Sequence, residues 1–91
     1  MKNTNENPKV IMMVAASKAL DYKSKKPLAE HNEVIQHVMA NVSAVSNMKI
    51  SAIAAANRAL KYKEQNPRAN DKEIMQRIMD EASEIIESVD K

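Results

Sequence analysis

A chain of 91 residues with neither glycine nor cysteine excludes whole classes of protein before any motif is sought. The absence of glycine argues against phosphate-cradling loops and against tight turns that need positive φ; without cysteine there are no disulfides, thiolate metal sites or cysteine nucleophile. A formal net charge of +2, with 44% hydrophobic and 29% charged residues, describes a globular chain and lacks the strong basic excess of a typical nucleic-acid binder.

Tyr22 and Tyr62 are the only Phe, Trp or Tyr residues, so core bulk has to come from Met, Leu, Ile and Val, and close helix approach from Ala. This composition predicts an all-α fold. The apolar runs 10–16 and 50–56 are too short to span a bilayer, and a run that recurs mid-chain reads as core helix rather than as a targeting signal. We therefore expect a cytoplasmic protein with no membrane partner.

Residues 1–6 are polar and aperiodic and read as a disordered tail, leaving 7–91 as a single helical domain. Asn7 before Pro8 predicts a helix start, since Asn is a good N-cap and Pro at the first helical position gives up an N–H that has no partner there. The first helix is predicted over 8–25, with Met12, Met13, Ala16, Ala19 and Leu20 on one stripe and Lys18, Asp21 and Lys25 opposite. Pro27 ends it by disfavouring helical geometry at Lys26. Leu28 is expected to tuck under the connection.

A second helix is predicted from about Asn32, its stripe formed by Val34, Ile35, Val38, Met39, Val42 and Val45. The segment 45–49 contains neither Gly nor Pro, so one continuous helix over 32–65 is the alternative to a break. Lys49 would then fall on the apolar stripe, where an ammonium is costly, which favours a break with Asn47 as the next N-cap. The third helix carries Ile50, Ile53, Ala56, Ala59 and Leu60; the fourth carries Ile74, Met75, Ile78, Met79, Ala82, Ile85 and Ile86. Asn70-Asp71-Lys72-Glu73 before the fourth has the form of a capping box with Asn in the Ser/Thr place.

The third and fourth helices repeat the first and second. Ala15-Ala16-Ser17-Lys18-Ala19-Leu20-Asp21-Tyr22-Lys23, closed by Pro27, recurs as Ala55-Ala56-Asn57-Arg58-Ala59-Leu60-Lys61-Tyr62-Lys63, closed by Pro67. Aligned without gaps, repeat 1 (7–46) and repeat 2 (47–86) agree at Asn7, Lys9, Ala15, Ala16, Ala19, Leu20, Tyr22, Lys23, Pro27, Ala29, Glu33, Gln36, Met39 and Ser43. The chain is a tandem duplication of a helical hairpin. Two repeats are too few for a solenoid, which needs about three, so the hairpins are expected to close on each other as a four-helix bundle with pseudo-twofold symmetry. Ala15, Ala16, Ala19, Ala55, Ala56 and Ala59 would let the first and third helices approach closely.

Charge is segregated by helix. Residues 9–26 carry five basic residues against one acid, 48–68 again five against one, and 69–91 three against seven. One consequence is pairing of a basic arm with an acidic arm inside each hairpin. Another is a candidate binding edge of Lys18, Tyr22, Lys25 and Lys26 with Arg58, Lys61, Tyr62 and Lys63, in which an aromatic lies near cations and nucleic acid is the conceivable ligand.

Other constellations are weak. His31 and His37 are six residues apart and point about 120° away from each other on a helix, which suits surface or capping roles better than metal binding. Glu81, Glu84 and Glu87 share one face of the fourth helix without the His that bundle metal sites use three residues on. No nucleophile, base and acid combination is present, so no catalytic residue, cofactor or metal site is predicted. Met12, Met13, Met39, Met75 and Met79 lie on apolar stripes as gap-fillers, or else leave a soft surface for a partner helix. Taken together, the sequence predicts a small non-enzymatic interaction or structural module that self-associates as a homodimer or accepts a helical protein partner. The alternative is a nucleic-acid-binding regulatory protein using the basic edges of the first and third helices.

Overall fold

A computed structural model describes residues 8–42 and 46–90, excluding the side chains of 46–48 and 88–90; the expected tail and Val45 lie outside the described residues. The chain forms α1 (Pro8–Lys25), α2 (His31–Asn41), α3 (Ser46–Gln65) and α4 (Asp71–Asp90). It is an all-α bundle of four helices.

α1 begins at Pro8 and ends at Lys25, as the proline signals at each end require. Both hairpins then turn in the same way. Lys26 N–H donates to Tyr22 O at 2.9 Å and Ala29 N–H to Lys26 O at 2.9 Å; forty residues on, Asn66 N–H donates to Tyr62 O at 2.9 Å and Ala69 N–H to Asn66 O at 3.0 Å. This turn directs the shared alanine inward, so Ala29 is buried while Leu28 is 96% exposed. Leu28 therefore does not tuck under the connection. It occupies the outward position that Arg68 occupies in the second turn.

The continuous 32–65 helix does not form, because Val42 is extended at φ −112°, ψ 116° and closes α2. Val42 nonetheless remains a core residue. Near this end the Asn41 side chain bonds the backbone, its Nδ2 donating to His37 O at 2.8 Å. Its counterpart Glu81 makes no such bond, and α4 runs on to Asp90.

α3 starts at Ser46, which puts Asn47 inside the first turn and not at the N-cap. The counterpart of Pro8 is Met48, which imposes no helix boundary on the residue before it. At α4 the expected capping box is present: Glu73 N–H donates to Asn70 Oδ1 at 2.8 Å, and Asn70 N–H to Glu73 Oε1 at 3.0 Å.

α1 and α3 form the most extensive helix contact, and α2 and α4 each pack on both of them. The six seam alanines are fully buried; any larger side chain there would force the central pair apart. The core divides into two clusters along this seam. One joins Ile11, Ala15 and Ala19 of α1 with Val34, Ile35 and Val38 of α2 and Ala52, Ala56 and Leu60 of α3. The other joins Met12, Ala16 and Leu20 of α1 with Ala55 and Ala59 of α3 and Ile74, Ile78, Ala82 and Ile85 of α4.

Shifting the first cluster by forty residues reproduces the second with few exceptions. The most informative is at the start of the central helices, where Ile11 and Ala52 correspond to Ser51 and Met12. The long apolar side chain has moved from one member of the pair to the other, so each side retains one large residue and one small residue. Complete burial of Met12 in the second cluster fills what Ser51 leaves.

Candidate functional site

The duplicated tyrosines sit on the last turns of α1 and α3, where helical phase turns them toward the neighbouring second helix of the same hairpin. Each is half-buried. Tyr22 donates its hydroxyl to Glu33 Oε2 at 2.7 Å and stacks on the His37 ring with centroids 4.2 Å apart. Lys26 Nζ lies 5.3 Å from the Tyr22 centroid, within cation–π reach.

Tyr62 has a similar environment built from different residues. The Arg77 guanidinium, at the position equivalent to His37, lies 4.0 Å from the Tyr62 ring centroid. The hydroxyl donates to Glu81 Oε1 at 2.5 Å, and Arg58 Nη1 donates to the same oxygen at 2.8 Å. Glu73, which corresponds to Glu33, is occupied with Asn70 in the capping box. α2 shows the reverse choice: its N-cap, Glu30, makes no side-chain capping bond, and Glu33 serves the tyrosine.

These contacts set the acidities. Hydrogen bonding to Glu33 is the main cause raising the Tyr22 hydroxyl above its usual value. Burial is the main cause for Tyr62, with its bond to Glu81 next. For Glu81 burial acts upward, but the bonds from Tyr62 and Arg58 and the charges of Arg58 and Arg77 outweigh it and hold the carboxyl below its usual value. Both phenols are thus held in the protonated, donating form.

Of the eight residues in the candidate edge, the structure brings Lys26 to Tyr22, and Arg58 to Tyr62 through Glu81. Lys25 pairs with Asp21 at 3.2 Å. Lys63 donates to Ala69 O at 2.8 Å and lies 3.7 Å from Asp71 Oδ1. Lys18 is half-buried and Lys61 exposed, and among the described residues neither joins an ion pair. The partners missed from sequence are Glu33, His37, Arg77 and Glu81. The available signal was the common offset of fifteen residues from Tyr22 to His37 and from Tyr62 to Arg77. His31, expected at the surface, is exposed and bonds the Asn57 side chain through Nε2.

Among the described residues no cluster of three or more His, Asp or Glu is placed to hold a metal ion, and no helix is long and apolar enough to cross a membrane. No protein-family model matches the chain, and searches of curated proteins and of solved structures likewise return no match.

Proposed function

We propose that this chain is a small non-enzymatic helical interaction module that associates with a second copy of itself. The carrying observation is which apolar residues stay exposed. Val10 (41%) and Ile50 (54%) are repeat counterparts on α1 and α3, and Met39 (42%) and Met79 (46%) are counterparts on α2 and α4. Single exposed hydrophobics are ordinary. These four put apolar surface on every helix at paired positions. Val14 (41%) on α1 and Leu28 (96%) in the turn add to it without a large apolar counterpart, and a second copy would bury such surface.

The matching of the two core clusters supports a pseudo-twofold relation between the hairpins. Size points the same way, because a domain this small buries only about 60 to 65% of its unfolded surface and gains from association. Sedimentation equilibrium on the full chain tests the reading: a mass near twice the 10.2 kDa of one chain is expected, and a monomer at every concentration would remove it.

The nucleic-acid reading is less well supported, since Arg58, Lys25 and Lys63 each have a carboxylate partner within the chain. It would regain ground if the protein bound DNA or RNA in a salt-dependent way that Lys18→Glu with Arg58→Glu abolished.

A further inference from the structure

Two hollows flank the ends of the central helices, and the duplication relates them. One, of about 140 Å³, is bordered by Lys23, His31, Val34, Leu60, Lys63 and Glu64. The other is bordered by Leu20, Lys23, Ser24, Pro27, Lys63 and Asp71. A forty-residue shift exchanges Lys23 with Lys63 and carries Leu60 to Leu20, His31 to Asp71 and Glu64 to Ser24. What differs is the group facing the ammonium. In the second hollow Asp71 Oδ1 lies 3.7 Å from Lys63 Nζ, so the protein's own carboxylate answers the charge.

In the first hollow His31 stands where Asp71 stands in the second. Lys23 Nζ donates to Ala29 O at 2.6 Å, as Lys63 does to Ala69 O, but among the described residues it forms no ion pair. An ammonium has three N–H donors, so two remain for a ligand. The His31 ring is fixed by its Nε2 bond to Asn57 Oδ1 and brings no negative charge. Beneath lie the apolar side chains of Val34 and Leu60, and Glu64 adds one acidic group to the border.

We propose that this hollow binds a small monocarboxylate with a branched or aromatic body. Its carboxylate takes, beside Lys23, the place that the Asp71 carboxylate takes beside Lys63, and its apolar end rests on Val34 and Leu60. The volume suits such a body, since an apolar cavity of roughly 150 Å³ accepts a benzene-sized group. Glu64 disfavours a second negative charge on the ligand. The site is independent of self-association.

Benzoate is the probe, followed by amide chemical shifts of the full chain, with benzyl alcohol as the uncharged comparison. Saturable shifts centred on Lys23, His31, Val34 and Leu60 are expected, with a Kd on the order of 1 mM for a ligand this small, and binding of benzyl alcohol at least roughly tenfold weaker. His31→Asp installs in the first hollow the carboxylate that the second already has. It should weaken benzoate at least about tenfold while the remaining amide spectrum is kept. Lys23→Met gives the same loss without adding an acid. Absence of saturable shifts, equal binding of benzyl alcohol, or undiminished benzoate binding by folded His31→Asp or Lys23→Met protein would each overturn the assignment.

Discussion

The Tyr62 hydroxyl bonds Glu81 at 2.5 Å and not Glu73, the residue standing where Glu33 receives Tyr22. One acceptor has been exchanged for another because Glu73 closes the N-terminus of α4. Glu81 thereby comes to serve Tyr62 and Arg58 together, tying the end of α3 to the middle of α4. Removing it strands two donors in a half-buried place. Glu81→Ala should cost about 1 to 2 kcal/mol in urea unfolding, whereas Glu33→Ala, at the exposed Tyr22 bond, should stay within about 0.5 kcal/mol.

The same carboxylate gives an acid dependence of known sign. Glu81 has a folded-state pKa below the usual carboxylate range. Its contribution is therefore complete above that range and is lost as the pH falls through the depressed folded value. Unfolding midpoints of wild type and Glu81→Gln should differ at neutral pH and converge in acid. At the alkaline end Tyr62 has a raised pKa, so its contribution is present below the ordinary phenol value and is lost as the pH rises through the folded one. Tyr62→Phe should consequently lose this part of the alkaline destabilisation and keep the part from Tyr22, whose hydroxyl is raised as well.

The two helix starts predict a gain as well as a loss. Asn70→Ala removes the side-chain acceptor of the α4 capping box and should cost about 1 kcal/mol. Glu30→Asn builds the corresponding pair with Glu33 at the start of α2, where no capping bond exists. It should stabilise by about 0.5 to 1 kcal/mol, with Glu33 drawn away from Tyr22. Thermal unfolding of the two variants in opposite directions is the check.

In the core, the exchange of Ile11 and Ala52 for Ser51 and Met12 makes Met12 costly to trim. Met12→Ala should destabilise by about 2 to 5 kcal/mol. At the seam, Ala56→Leu should cost about 1 to 3 kcal/mol by forcing α1 and α3 apart, measured by the denaturant midpoint.

The duplication made much of this legible from sequence. α1 ran between its two proline signals as predicted, because Pro8 and Pro27 act on the backbone locally. The seam alanines were found because packing repeats with helical period. The capping box of α4 was legible because its residues are neighbours in sequence. What was not legible depends on tertiary geometry that periodicity does not carry: Tyr62 bonds Glu81, α3 begins at Ser46, and the turn at Ala29 sends Leu28 outward. The partners of the cations in the basic edge were not legible for a related reason. Net charge by helix showed that cations and acids lie on neighbouring helices, but not that Arg58 and Glu81 would meet at 2.8 Å.

Self-association through the paired exposed positions is read out by sedimentation equilibrium of wild type beside two charge-bearing variants. Val10→Glu with Ile50→Glu, and Met39→Glu with Met79→Glu, alter exposed sites and should leave monomer stability within about 0.5 kcal/mol per site. The wild type should be a dimer, and at least one of these folded double variants a monomer. A monomeric wild type across the micromolar to millimolar range, or both variants still dimeric, would contradict this.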